Sequence, residues 1–480
     1  MSTLTLIGQH DYSGDSLAGV TRLLVTDGSD SAFAATQFDG TAISTAVRIV
    51  NDGATSASIS VSGGSIDASH WLFAGFGATA PAITLTGSAG DDAIIGSSRA
   101  DTIVGNGGND TLTGGGGDDT RKAELGGQVS VSGGAGNDGI LCLDVSHSSV
   151  NGGAGNDAIY GSYDTSTLQG GSGDDYFQCS LNMSVVQAGD GNDQIYVAQN
   201  FGSDSSYDVI NGGRGDDLIW IGGDSVMSIV AGGDGNDAMW ASALASSVMS
   251  GGAGNDEMTV DACWGLTRIS GGDGDDQIGL NHGYDNPTIS GGAGNDLINV
   301  AAVSAVVYGG VGDDTMIVAC DTSATVVGGD GNDSITCAVG KFLVNGGAGD
   351  DAILGDFQAD TLNGGAGNDT LDGGGGGDQL RGGAGYDVFY YSSTAGSPAS
   401  TDHSTIFDFE QGFDLICLHA SGTSFTFVGT AAFTGTAGEL RYDVVGGFTF
   451  ILGDTNGDGI ADFEIDLAGR INLQVSDFVL

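Results

Sequence analysis

Twenty aspartates of this 480-residue chain close a six-residue turn that is built mostly of glycine, as in Gly133-Gly-Ala-Gly-Asn-Asp138. They are Asp92, Asp101, Asp110, Asp119, Asp138, Asp157, Asp175, Asp193, Asp217, Asp237, Asp256, Asp276, Asp296, Asp314, Asp333, Asp351, Asp360, Asp369, Asp378 and Asp387. A glycine-rich turn can point successive carbonyls at one spot, because backbone with positive φ, or backbone facing backbone, tolerates no Cβ. The carboxylate at the end of the turn adds negative charge. Such a donor set consists of oxygen alone, which suits a hard cation.

The spacing of the turns says what must position them. They start nine residues apart at 87, 96, 105 and 114, mostly 18 to 20 apart from 133 to 346, and nine apart again at 355, 364, 373 and 382. Two places after each aspartate stands an apolar residue, among them Ile94, Ile140, Phe177, Ile219 and Ile335, and only Arg121 breaks that column. In the widely spaced region a second apolar column precedes each turn by two residues, from Val131 and Val150 to Val326 and Val344. Each unit therefore holds two short strands, each with one inward side chain, joined by two turns. That is one coil of a narrow solenoid, whose apolar residues are buried only when coils stack as parallel strands. The expected fold is all-β: a right-handed parallel β-roll or β-helix of about 17 coils, roughly 80 Å long at about 4.8 Å per coil.

Composition narrows the function classes. The chain carries 62 acidic and 11 basic residues, a net charge of −51, with 90 glycines and 40% apolar residues. Nucleic acid and anionic lipid are disfavoured as partners, since the cations that would neutralise phosphate are missing. No stretch of about 18 apolar residues occurs, so no transmembrane helix is expected. The opening "MSTLTLIGQHDYSGDS" has neither the basic nor the apolar region of a Sec signal. The six cysteines show no metal-binding spacing, and Cys142 and Cys179 lie two coils apart, too far to bridge.

"GGAGNDxI" resembles the nonapeptide G-G-x-G-x-D-x-U-x of RTX (repeats-in-toxin) proteins, whose β-rolls bind Ca²⁺. The physics agrees: Ca²⁺ takes six to eight oxygens, and turns stacked on one another close a cage from both sides. The resemblance implies that all twenty aspartates are metal ligands. Doubled calcium edges are expected only at 87–119 and 346–387, with a single continuous row between them and variable loops on the other edge. If every gap between stacked turns is filled, about 17 ions bind, most of them in that row.

Residues 382–480 resemble the C-terminal segment of serralysin-type secreted metalloproteases, through "GGAGYDVFYY", "TIFDFEQGFDLICL", "GDTNGDGIADFEIDL" and the closing "SDFVL". The resemblance implies a cap on the roll and an uncleaved signal for a type I secretion exporter. Cys417 stands where that family usually has aspartate. "DTNGDG" (Asp454, Asn456, Asp458) opens like an EF-hand loop but lacks the glutamate at its twelfth place, leaving calcium site and plain turn both open. The expected division is an N-terminal β cap over 1–86, the calcium roll over 87–390 and the C-terminal cap over 391–480.

No catalytic set emerges. The zinc motif H-E-x-x-H is absent and the six histidines are isolated. "GDSL" at Gly14–Leu17, with Asp67–His70, echoes an esterase motif whose α/β domain has no room here. One exposed column stands out: Tyr196, Trp220 and Trp240 follow the inward residue in three successive coils, as a candidate contact surface or a stabilising ladder. The long insert at 198–208 lies beside it. The expectation is a secreted, extracellular or cell-surface protein that folds on Ca²⁺ and has a structural or adhesive role, meeting cell-surface glycan or copies of itself. The alternative is an enzyme or polysaccharide-binding module that uses the edge without calcium.

Overall fold

A computed structural model of the chain describes residues 2–6, 9–11, 20–25, 29–34, 43–51, 57–62, 66–74, 82–124, 127–198, 207–392, 397, 403–419 and 424–480. Gly14–Leu17 and residues 199–206 of the long insert lie outside the described residues. The chain forms two compact units, Met1–Met239 and Trp240–Leu480. Each is a stretch of parallel β-solenoid, together about 16 turns. No helix among the described residues is long and apolar enough to cross a membrane.

In the first unit the strand that enters each glycine turn pairs with its counterpart one coil on. Thr111–Gly116, Ser130–Ala135, Ser149–Ala154 and Thr167–Ser172 follow one another in parallel, with Leu112, Val131, Val150 and Leu168 in register. The strands that leave the turns form a second parallel ladder, in which Ile103, Arg121, Ile140, Ile159, Phe177 and Ile195 are in register. Both columns are almost wholly buried. One side chain per strand per coil is thus the whole thickness of the core, and its stability depends on neighbours above and below.

The strands ahead of residue 87 stack in the same parallel sense. Ser2–Leu6, Val20–Val25, Ile43–Asn51 and Leu72–Ala74 form one ladder. Ser29–Ala34, Ala57–Ser62, Ala82–Thr86 and Asp101–Asn106 form the other. The N-terminal region therefore continues the winding with coils that lack the aspartate turn.

The second unit repeats the scheme, with Ile269, Ile289, Val307, Val326, Val344, Leu362 and Leu380 in one register. Its far end is closed by a different element. Glu439–Val445, Phe448–Asp454 and Phe463–Ala468 form an antiparallel meander, and Phe463–Ala468 pairs with Thr405–Ile406 of the roll. The terminal strand Phe478–Val479 pairs with Ile416 and Cys417. Buried Asp477 accepts hydrogen bonds from the N–H of Gln474 and from Gln411, which pins that last strand. An open parallel edge would otherwise present unpaired N–H and C=O groups.

Candidate metal centre

The turn Gly152–Asp157 shows how one donor set is assembled. Gly153 and Gly155 have φ of 121° and 120°. A Cβ on Gly153 would run into the carbonyl of Gly134 in the preceding coil, so successive turns touch backbone to backbone. Asp157 then reaches back along the stack: its Oδ1 accepts the N–H of Asp138 at 2.8 Å, while its own N–H donates to Oδ1 of Asp175 at 2.7 Å.

That bond repeats as a ladder. In the first unit it links Asp101, Asp119, Asp138, Asp157, Asp175, Asp193, Asp217 and Asp237, each at 2.7 or 2.8 Å. In the second it links Asp256, Asp276, Asp296, Asp314, Asp333, Asp351, Asp369 and Asp387 at 2.8 or 2.9 Å. Short second rows pair Asp92 with Asp110 and Asp360 with Asp378.

The other carboxylate oxygen is the informative one. Among the described residues, Oδ2 of Asp110, Asp138, Asp157, Asp175, Asp193 and Asp217, and of Asp276, Asp296, Asp314, Asp333, Asp351, Asp369 and Asp387, is buried without a hydrogen-bond partner. It shares its position with a second acceptor. A Cβ built on Gly170 would meet both Asp175 Oδ2 and the carbonyl oxygen of Ala188, and one on Gly291 would meet both Asp296 Oδ2 and the carbonyl of Gly309. Two acceptors converge with no donor between them, at a site closed to water. Leaving such groups uncompensated costs about 1–3 kcal/mol each, and more when they are charged.

The electrostatics agree. Burial pushes the carboxyls of Asp157 and Asp193 up to about 6 and those of Asp175 and Asp217 up to about 7, although the Asp N–H that each accepts partly offsets this. For Asp175 and Asp217 the aspartates of adjacent coils raise the value further. Asp296 and Asp333 behave alike, at about 7. Each carboxylate is therefore placed to favour a bound positive charge. Oxygen-only donors, anionic and closely spaced, fit Ca²⁺.

Five of the twenty aspartates already have a protein donor on Oδ2. In three turns whose second residue is serine or aspartate, its N–H takes the oxygen: Ser88 to Asp92 at 2.5 Å, Ser97 to Asp101 at 2.6 Å and Asp356 to Asp360 at 3.2 Å; Asn106, with a positive φ of 68°, leaves Asp110 Oδ2 free. Asp378 accepts the hydroxyl of Ser404 at 3.2 Å, and Asp119 accepts Arg121 Nη2 at 2.9 Å.

Two parts of this architecture escape the repeat pattern. Asp414, in no glycine turn, extends the ladder by accepting the N–H of Asp387 at 3.1 Å, while its Oδ2 takes the N–H of Glu410. Ile416 two places on was its available signal. On the opposite edge of the first unit, serines stand where the doubled repeat would have aspartate. Ser148 donates its N–H to Ser166 Oγ, and Ser166 to Ser184 Oγ, both at 3.1 Å. Their hydroxyls in turn donate to the carbonyls of Ser146, Asp164 and Asn182. A hydroxyl both accepts and donates, so these serine turns close without a cation, while the next coil of this edge carries buried Asp208, which accepts the N–H of Ser184 at 2.9 Å. A carboxylate cannot donate.

The "DTNGDG" loop folds as a self-satisfied turn. Asp454 accepts the N–H groups of Gly457 and Gly459, Asp462 accepts those of Thr455 and Asn456, and Asn456 Oδ1 accepts that of Asp458. Elsewhere among the described residues, one group of three metal-type side chains converges: His403, Glu464 and Asp466, with His403 Nδ1 3.2 Å from Asp466. All six cysteines are free, five of them buried. Tyr196 and Trp220 are in register on adjacent coils, both half-exposed. Tyr176 also joins this face, its ring centroid 5.6 Å from those of both Tyr160 and Tyr196. Trp240, half-exposed, opens the second unit.

Two family models match stretches of this chain. The family model "RTX calcium-binding nonapeptide repeat (4 copies)" matches residues 86–120, 150–178 and 204–225. "Peptidase M10 serralysin C terminal" matches residues 281–480. Solved structures similar to this chain include the AlgE6R2 subunit of a mannuronan C5-epimerase from Azotobacter vinelandii, at 26% identity over 32% of this chain and 91% of that one, with a TM-score of 0.22. The AlgE6R3 subunit of the same epimerase matches at 27% identity over 39% of this chain and 80% of that one, with a TM-score of 0.21. No curated protein sequence matches. The two family matches, with the ladder of glycine-turn aspartates, show that the chain carries RTX calcium-binding repeats in a β-roll and a serralysin-type C-terminal segment.

Proposed function

We propose that the chain is a secreted, non-enzymatic protein whose roll folds on calcium outside the cell and serves there as a structural or adhesive element. The observation that carries this reading is the row of buried Oδ2 atoms without a hydrogen-bond partner, which at turns such as those of Gly152, Gly170, Gly291 and Gly328 converge with a carbonyl of the next coil. In this reading Asp138, Asp157, Asp175, Asp193 and Asp217, and Asp276 through Asp387 of the main row, hold Ca²⁺ together with the glycine-turn carbonyls. Bound calcium supplies positive charge that ties one coil to the next. The chain's own residues do the rest: the Asp N–H to Oδ1 ladder sets the spacing, and the glycines let the carbonyls converge. With scarce calcium the carboxylates repel one another, which keeps the chain extended for a type I exporter. At millimolar calcium, ligation and folding become one equilibrium.

The match to a serralysin C-terminal segment supports export by that route. The half-exposed Tyr196 and Trp220 are the proposed contact surface of the first unit toward glycan or further copies of the chain, and half-exposed Trp240 is proposed for the same role in the second. Calcium titration followed by circular dichroism and light scattering tests the whole reading. A cooperative gain of β signal at about 0.1–1 mM Ca²⁺, with particle mass rising at the same point, is the expected result. A chain fully folded in chelator at pH about 7 or above would overturn the calcium-driven roll, and folding without any gain in mass or affinity for glycan would overturn the adhesive role.

A further inference from the structure

Arg121 is the single break in the inward column, in register between Ile103 and Ile140. It is nevertheless wholly buried. A guanidinium stays protonated even there, so the core of a calcium roll contains one permanent organic cation.

Its position is specific. Nη2 donates to Asp119 Oδ2 at 2.9 Å and to the carbonyl oxygen of Gly133 at 2.9 Å, and lies 3.1 Å from Asp138 Oδ1. These partners are the equivalents of the acceptor pair found in other coils: Oδ2 of one turn's aspartate and the first carbonyl of the next turn. In the coils at Gly170 and Gly291, the nearest polar atoms to the point where a Cβ would stand are such a pair. At Gly114 the same point meets Arg121 Nη2 as well as Asp119 Oδ2. Asp119 Oδ2 accordingly has a partner, whereas its counterparts on Asp138 and Asp157 have none. Nε and Nη1 of Arg121 have no hydrogen-bond partner, so the side chain presents one nitrogen to the site, as a point cation rather than a two-pronged fork.

We propose that Arg121 takes the place of a calcium ion between the turns Gly114–Asp119 and Gly133–Asp138, making that junction cationic without metal. The inference rests on the calcium reading of the neighbouring turns. It places a joint held by a fixed side-chain cation near the N-terminal end of the main row, where the doubled repeat gives way to the single one. Coils on either side of it are held by a charge that neither dilution nor a chelator removes.

The test is anomalous diffraction from crystals of the full chain grown in calcium, alongside the Arg121→Met variant. The expected wild-type map has calcium peaks in the gaps that follow Asp138 and Asp157 and none between Asp119 and Gly133. In Arg121→Met a new peak appears in that gap, and bound calcium rises by one ion per chain. A calcium peak in the wild-type gap, with the guanidinium displaced, overturns the inference while leaving the calcium reading intact. Peaks in no gap at all overturn the calcium reading itself. If Arg121→Met does not fold, Ile278→Arg supplies the reverse experiment. Ile278 occupies the same column beside Asp276, and its replacement should remove the ion between Asp276 and Gly291. An unchanged ion there overturns the claim that an arginine at this column position substitutes for calcium.

Discussion

Asp296→Asn separates a metal ligand from a structural carboxylate. The substitution keeps Oδ1, which accepts the N–H of Asp276 at 2.9 Å. It replaces Oδ2, buried and without a partner, by an amide nitrogen facing the carbonyl of Gly309. An acceptor facing an acceptor becomes a donor facing an acceptor. Extrapolated to very low calcium, the variant should therefore be the more stable chain, by about 1–3 kcal/mol, the cost of an unsatisfied buried group. With calcium the sign reverses. Stability rises by about 1.4 kcal/mol per tenfold calcium for each ion taken up on folding, so losing one site lowers the slope by that amount. At calcium about 100-fold above the site's Kd, the variant should be about 2.7 kcal/mol less stable from this term alone. Urea unfolding followed by circular dichroism, repeated over a calcium series, gives both lines, which should cross. Parallel lines, with the variant weaker at every calcium concentration, would refute the assignment: Asp296 would then be a hydrogen-bonding strut and nothing more.

Gly292→Ala probes the stacking itself. Gly292 has φ of 133°, and a Cβ there would overlap the carbonyl oxygen of Gly272; at saturating calcium the expected loss is at least about 1–3 kcal/mol from backbone strain, read from the urea midpoint, and an unchanged midpoint would refute the close approach. Without metal, Asp157 and Asp175 keep a proton up to about 6 and about 7. An unfolded carboxyl loses its proton near about 3.9. Between these limits the folded chain binds more protons than the unfolded one, so stability in chelator should fall as pH rises through that window. Circular dichroism in chelator should show most β signal near pH about 4 and least by about 7, and a signal that grows with pH would refute the burial of these groups. The thiols report folding independently: burial pushes Cys142 and Cys320 up to about 11 and Cys263 up to about 12. A thiol reagent at pH about 8 should reach Cys417 at most in the calcium-loaded chain and all six cysteines in denaturant, and prompt labelling of Cys142 in the loaded chain would count against its place in the core.

The sequence by itself determined the coil, its register and the candidate ligands. A fixed spacing between Asp157 and Ile159, repeated from turn to turn, admits one arrangement in which that apolar column is inward and the turn carboxylates lie at the edge. It also contained the cap, since the strands around Ile416 and Phe463 belong to a segment recognisable by its motifs. Tertiary structure alone decided what each carboxylate does. Asp101 and Asp157 hold the same place in the repeat. A serine N–H satisfies Oδ2 in the first, and no protein donor reaches it in the second. The difference lies in the direction of one peptide plane, which depends on whether the turn's second residue can adopt positive φ. The serine edge was equally hidden, because Ser148 and Ser166 carry meaning only when stacking brings each Oγ onto the N–H of the preceding coil. Arg121 read as a break in a column and proved to be a cation at the position of a ligand pair. Its side chain is long enough to leave its own strand and end between two turns, and spacing along the chain cannot report that reach.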